Sequence, residues 1–362
     1  MLICVVLLIP SGGSSDTHCQ DADDRSNFAD TVLRRWSEVT VKTRFYNYLL
    51  SLFTIAVFAS ACVQSALAQW PTDFVDDSDF YVELGAKFLN RPGDDLGLPL
   101  LSDSVTNEVF ISSGEITDLG TNAGAEVRFG KRGRHGRRWE IRTTVANWDA
   151  QNSVAGANLT SPLTPGFSPD SVETDYDSRL FSVELSFKRA VRPGIVLFAG
   201  PRFISLREDF EFTSESFIPT PPFGLFELDT FNSIETRNNL YGFQVGGEFN
   251  LPVSRNFYIN SFIRAGGFSN PTRFRSVAST TVAAEVQNEL TKNTGSFVGE
   301  VGGRVLFDIV PGCVSTHIGY EATWLDGIAL APTQFNTNTT GEVVTANTPF
   351  FQGITFGIGF RR

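Results

Sequence analysis

Beyond residue 69 the chain is built on one repeating feature, a strict two-residue alternation of apolar and polar side chains. In Phe181-Ser182-Val183-Glu184-Leu185-Ser186-Phe187-Lys188, one face carries Phe, Val, Leu and Phe while the other carries Ser, Glu, Ser and Lys. Tyr241 to Asn250 and Phe297 to Ile309 repeat the arrangement. A period of two is that of a β-strand whose faces meet different surroundings. No window past residue 69 holds a helical period or an apolar run of 18 residues.

Ten such segments can be placed, near 80-90, 119-130, 138-149, 176-189, 195-208, 236-250, 256-268, 295-309, 314-326 and 349-361. The connections alternate in length. Short ones marked by Pro or Gly fall at 131-137, 190-194, 251-255 and 310-313, and long ones at 91-118, 150-175, 209-235, 269-294 and 327-348. A barrel crossing an outer membrane has this asymmetry, with short periplasmic turns and long external loops. An even strand count leaves both chain ends on the periplasmic side. The fold expected is all-β, a transmembrane antiparallel up-and-down barrel of ten strands, or twelve if 101-113 adds a pair.

The amino-terminal region supplies an address. Lys42 and Arg44 precede the apolar stretch Leu49 to Ala59, and Ala66-Leu67-Ala68 offers a cleavage site before Gln69. Residues 41-68 therefore read as a signal peptide and 69-362 as the barrel domain. Residues 1-40 lie upstream of a complete signal and read as an over-extended or disordered start. A single membrane anchor and a lipoprotein cut before Cys62 remain alternatives.

With the apolar face toward lipid, the opposite face lines the lumen. Its charges are Glu83, Lys87, Glu126, Arg128, Glu140, Arg142, Glu184, Lys188, Arg202, Glu248, Arg264, Glu300, Arg304, Asp308 and Glu321, eight acidic and seven basic. Near balance suits ion pairing, because buried charges persist when paired. Same-face neighbours such as Glu126 with Arg128 and Glu140 with Arg142 suggest lateral ladders, and lumen-side glycines such as Gly246 and Gly302 leave room for long side chains. Ten strands enclose little more than side chains, so a largely plugged barrel is expected, with a narrow path still open as an alternative. The inverted geometry, apolar face inward as in a soluble periplasmic lipocalin-like carrier, has the same alternation.

The net charge of -11 excludes a nucleic-acid binder, since phosphate contacts need a concentrated basic surface. Only Cys313 lies beyond the signal, too few for a disulfide or a cysteine metal site, so neither metal nor cofactor is expected. Asp73, Asp76, Asp77 and Asp79 lack the pattern of a calcium loop. His135 falls in a periplasmic turn and His317 near the same side, with no third partner for Ser315, so no catalytic residue is assigned and enzyme chemistry is not expected. The basic run Lys131 to Arg138 reads as a solvated turn, with anionic headgroups as its functional alternative. The apolar stretch Phe217 to Phe226 reads as a self-packed loop cluster, with an inward plug or a partner contact as alternatives. Trp139, Trp148 and Trp324 fit aromatic girdles at the membrane interfaces.

The stretch Gly319-Tyr320-Glu321-Ala322-Thr323-Trp324-Leu325-Asp326-Gly327-Ile328-Ala329-Leu330-Ala331-Pro332 resembles a late strand and exit in a family of bacterial outer-membrane β-barrel porins. Gly353 to Phe360 is similar to a terminal barrel strand, although Arg361 and Arg362 follow the aromatic. The resemblance implies an outer-membrane location and a porin-like role, and it carries over no catalytic residue. The expected partners are outer-membrane lipid, the barrel-assembly machinery during biogenesis, and small solutes if the lumen conducts. The alternative is a plugged structural or surface-recognition barrel acting through its external loops.

Overall fold

The computed structural model describes residues 80–93, 97–133, 137–156, 158–164, 168–220, 224–335 and 341–361. The signal segment, the acidic lead-in and His135 lie outside them. Ten antiparallel strands close into a barrel: β1 (Phe80–Arg91), β4 (Gly120–Arg132), β5 (Arg137–Ala155), β7 (Ser171–Arg192), β8 (Ile195–Thr220), β9 (Gly224–Ser254), β10 (Phe257–Thr280), β11 (Ala283–Val310), β12 (Val314–Asp326) and β13 (Phe350–Arg361). Closure comes from β1, which pairs with β4 on one side and β13 on the other. The 101-113 region adds no strand pair to the wall. Its β2 (Pro99–Asp103) and β3 (Val109–Ser112) form a separate small sheet with β6 (Leu159–Thr160). A short helix, α1 (Ser113–Thr117), follows β3, opened by a capping box between Ser112 and Glu115.

The short turns have a local cause. Pro193-Gly194 and Pro311-Gly312 place glycine at φ +76° and +75°, the left-handed position that a tight Pro-Gly turn requires.

Two of the expected long connections are largely strand and a third is partly so. Residues 209-235 and 269-294 continue β8–β9 and β10–β11 as hairpins, and part of 150-175 extends β5 and β7. Alternation persists there with the polarity of the faces exchanged. On β8, Arg202 points inward and Phe203 outward, but farther along Phe210 and Phe212 point inward while Asp209 and Glu211 point outward. Reading these stretches as loops followed from their charge, which marks a change of surroundings and not an end of the strand.

The reversal divides the molecule into two levels. At the lower level the outer face is apolar and exposed, including Leu84, Val127, Ile141, Leu197, Phe243, Val245, Ile318 and Ile358, and the inner face is charged. At the upper level the outer face is charged and the interior is a packed apolar core of Tyr176, Leu206, Phe210, Phe212, Ile234, Leu240 and Phe274. A wall that is greasy outside only over part of its height fits a bilayer at that height and water above it. The 12-residue β1 and β13 and the 13-residue β12 stay close to the span of a transmembrane strand. β8 to β11 rise well beyond it.

Orientation excludes the soluble carrier. Glu184 is 2% exposed inside the barrel, whereas its neighbours Phe181 and Phe187 are 40% and 59% exposed outside.

Candidate functional site

The site is the lumen. Alternation sets it up, because side chains two apart on each strand share a face and the even or odd set of each strand is turned inward. Eleven of the fifteen charges join one continuous network: Glu83, Lys87, Glu126, Arg128, Arg142, Glu184, Arg202, Arg264, Glu300, Arg304 and Glu321. At its centre Arg142, Arg202 and Arg264 surround Glu184 and Glu300. Arg142 reaches Glu300 at 2.9 Å and Glu184 at 3.2 Å, Arg202 reaches Glu300 at 3.0 Å, and Arg264 reaches Glu184 at 2.8 Å. Gln244 fills the gap, donating to Glu184 at 3.0 Å and accepting from Arg202 at 3.3 Å.

Lys87 bridges Glu126 at 2.6 Å and also holds Glu321. Toward the periplasmic end Arg304 donates to Glu83 at 2.7 Å, and the Nδ1 of His317 stands 3.6 Å from the same carboxylate. Lys188, Glu140 and Glu248 make a separate triad, with Lys188 at 2.9 Å and 2.6 Å from its partners and the Tyr81 hydroxyl donating to Glu140. Asp308 stands apart and meets Arg361 at 3.5 Å.

The lateral ladders are only half present. Arg128 does reach back to Glu126 at 2.5 Å, but Arg142 leaves Glu140 for carboxylates across the lumen. In a ten-stranded barrel β5 and β11 stand on opposite walls, near enough for an arginine to span the interior. The glycines differ from expectation too. A Cβ at Gly246 would meet the Phe198 ring at 2.3 Å, and one at Gly302 the Phe262 ring at 2.6 Å. Their space is taken by inward aromatics, over which Arg264 lies at 5.4 Å and 4.5 Å from the ring centroids.

Above the charged level the lumen is closed by chain. Residues 328-331 lie inside the barrel and are fully buried. Asn238 clamps this segment as a strand would, its amide donating to the Ala329 carbonyl at 2.8 Å and its oxygen accepting from the Ala329 N–H at 3.0 Å. Gln334 makes a second clamp on Val344, at 2.7 Å and 2.9 Å, which closes the loop on itself. Glu208 accepts from the Ala331 N–H at 2.8 Å and pairs with Arg91 at 2.7 Å. Arg91 also donates to Ser178 and Tyr176, so β1 is tied across the apolar core to β7 and β8. A cavity of about 20 Å³ remains between the two levels, bordered by Lys87, Arg142, Arg202, Glu300, Glu321 and Phe351. That is room for one water molecule.

Arg91, Glu208, Asn238 and Gln334 were not among the expected lumen residues. Arg91 is in phase with Glu83 and Lys87, and Glu208 with Arg202, so parity carried the signal for those two. Asn238 is in phase with Glu248 on β9, so parity marked it as well, whereas Gln334 lies outside the strands and nothing local marks it. Trp148 is a correction: it is 1% exposed within the lumen, donates to the Leu89 carbonyl and packs 5.1 Å from Phe351. It shares the parity of Glu140 and Arg142, which outranks the general preference of tryptophan for interfaces. Phe217 and Phe226 are exposed on the β8–β9 hairpin and are not the plug.

Closed wall, exposed apolar belt and ion-paired interior together define an integral outer-membrane β-barrel. Among solved structures, the chain is similar to the translocator domain of the autotransporter NalP from Neisseria meningitidis, at 9% identity and a TM-score of 0.39, covering 86% of this chain and 99% of that one. It is similar to the outer membrane protease OmpT from Escherichia coli, at 9% identity and a TM-score of 0.37, covering 81% and 99%. The toluene transporter TbuX from Ralstonia pickettii is similar at 8% identity and a TM-score of 0.31, covering 78% and 90%. No family model matches the sequence, and no curated protein matches it.

One expectation is withdrawn on these comparisons. Enzyme chemistry was excluded from the sequence, yet a protease stands among the barrels this chain is similar to.

Proposed function

We propose that this protein is an outer-membrane barrel with a sealed resting lumen, acting through the structure it presents outside the membrane. One observation carries the reading: the lumen is filled by a buried ion-pair network at one level and by the fully buried segment 328-331 at the other, and the cavity beside Lys87, Arg142 and Glu300 has room for one water molecule. Separating Arg142 from Glu300 would break a bidentate ion pair in a buried interior, which is far costlier than displacing solvent. The outward surface of β7 to β10 above the belt is the structural or recognition element, held rigid by the apolar core behind it. Insertion into the membrane would depend on the barrel-assembly machinery. Planar bilayers test the reading: refolded protein should give no conductance above background, and regular channel steps at rest would overturn it.

A second reading, a gated narrow path for small solutes as in porin-like proteins, draws support from the upper seal. That seal is a loop held by a few side-chain hydrogen bonds, and a loop can leave where a wall cannot. Under this reading, weakening the Asn238 clamp should produce brief, salt-dependent openings.

A further inference from the structure

Four arginines stand side by side on the outer wall. The registers place Arg179 on β7 opposite Arg207 on β8, Arg207 opposite Arg237 on β9, and Arg237 opposite Arg273 on β10. All four side chains are well exposed, at 57%, 41%, 41% and 53%. Like charges directly opposite one another destabilise a sheet, so such a row calls for anions.

The wall supplies part of the answer. One outward position farther from the membrane, Asp177, Asp209 and Glu235 form a matching row. Arg207 lies 3.2 Å from Asp209 and 3.4 Å from Glu235, Arg237 is 2.5 Å from Glu235, Arg273 is 2.9 Å from Glu289, and Arg179 is 3.7 Å from Asp177. On β10 the acidic row ends at Arg275. Each arginine thus has a carboxylate beside it, yet all four guanidinium groups remain open to the outside with N–H donors to spare.

Position identifies what the outward-facing donors meet. One outward step below Arg179 is Phe181, while Phe203 and Tyr241 lie two steps below Arg207 and Arg237. The rings of Phe181, Phe203 and Tyr241 pack together at 6.3 Å and 4.9 Å, making an aromatic edge to the apolar belt. A step of two residues is roughly 7 Å along a tilted strand. The arginines therefore sit about 7 to 13 Å of strand above the last apolar ring, at the depth of the headgroup layer. Guanidinium groups match phosphate bidentately, with five donors in a fixed fork.

We propose that Arg179, Arg207, Arg237 and Arg273 form a binding row for the phosphorylated headgroups of outer-leaflet lipid, continuous with the apolar belt that takes the acyl chains. The neighbouring carboxylates, Asp177, Asp209 and Glu235 above the row and Glu289 beside it, aim the guanidinium groups. The headgroups take the guanidinium donors that the neighbouring carboxylates leave open.

The test uses the full chain reconstituted in phosphatidylcholine nanodiscs doped with bisphosphorylated lipid A or with its dephosphorylated form. After extraction into mild detergent, lipid A retained per barrel is measured, with folding checked by heat-modifiable gel mobility. Wild-type protein should retain the phosphorylated form preferentially, and R207Q/R237Q should lower retention about tenfold. R179Q/R273Q provides the same measurement if the first variant does not fold. Equal retention of both lipid A forms, or unchanged retention in a folded variant, overturns the proposal. Displacement of lipid A by inorganic phosphate at equal concentration would point to a free-anion site and overturn it as well.

Discussion

Arg142 of β5 and Glu300 of β11 meet across the lumen in a bidentate pair, each of the two hydrogen bonds 2.9 Å long. The partners are 158 residues apart in sequence and stand on opposite walls. Glu300 is also the acceptor for Arg202 at 3.0 Å, and both carboxylate oxygens are engaged.

Removing that carboxylate should be severe. Glu300→Gln leaves Arg142, Arg202 and Arg264 sharing Glu184, and loss of one partner of a buried pair costs about 3–5 kcal/mol. Denaturant unfolding of the detergent-solubilised barrel, followed by gel mobility, should show an earlier midpoint. The double variant R142M/E300L should recover much of the loss. A Glu300→Gln midpoint equal to wild type would argue that the network is solvated.

The loop inside the barrel depends on Asn238, whose oxygen accepts from Asn270 and Thr272 as well as from Ala329. Asn238→Ala orphans several buried groups, at about 1–3 kcal/mol for each. In a C313S background, P332C should react with a membrane-impermeant maleimide faster when Asn238 is replaced. Pro332 is buried in the parent, so equal labelling rates would mean that the clamp does not hold the segment.

Inner and outer phenylalanines should behave differently. Phe210 is fully buried and packs edge-on against Tyr176 at 6.5 Å, so Phe210→Ala should cost about 3–5 kcal/mol. Phe243, 56% exposed on the belt, leaves no cavity in the protein when shortened, and its loss should be well under half as large. Comparable unfolding midpoints for the two variants would contradict the assignment of levels.

Asp103 provides a pH-dependent feature outside the membrane. Its Oδ1 accepts from the Thr106 N–H at 2.8 Å and the Val105 N–H at 2.7 Å, and these bonds hold the carboxyl below its ordinary range. A lowered pKa in the fold means that the turn gains stability above the unfolded value and loses it as pH falls through the folded one. Amide exchange at Val105 and Thr106 should accelerate below about pH 4, and Asp103→Asn should flatten that dependence. Exchange rates that ignore pH in the parent, beyond the intrinsic chemistry, would remove the Asp103 carboxylate from the turn.

Much of the fold was legible because period-two patterning is a local property. It located all ten strands of the wall, and Pro-Gly pairs marked two of its turns. The same parity placed Glu126, Arg142 and Glu300 on one face, and applied consistently it would also have placed Arg91, Glu208 and Trp148 there. Strand ends were harder to read. Phe210 and Phe212 reverse the facing of greasy and charged residues, and a local pattern cannot say whether water or lipid lies outside.

Partnership across the lumen was beyond the sequence. Arg142 bonds Glu300 and not its near neighbour Glu140 because closure of ten strands brings opposite walls within an arginine's length. Asn238 reaches Ala329, 91 residues away, only because residues 328–331 turn into the lumen. The four-arginine row likewise exists only in the register of four strands. The chain by itself determined which side chains share a face, since that follows from backbone geometry within each strand. Which of them touch was decided by the closed barrel, whose curvature and register set every distance across it.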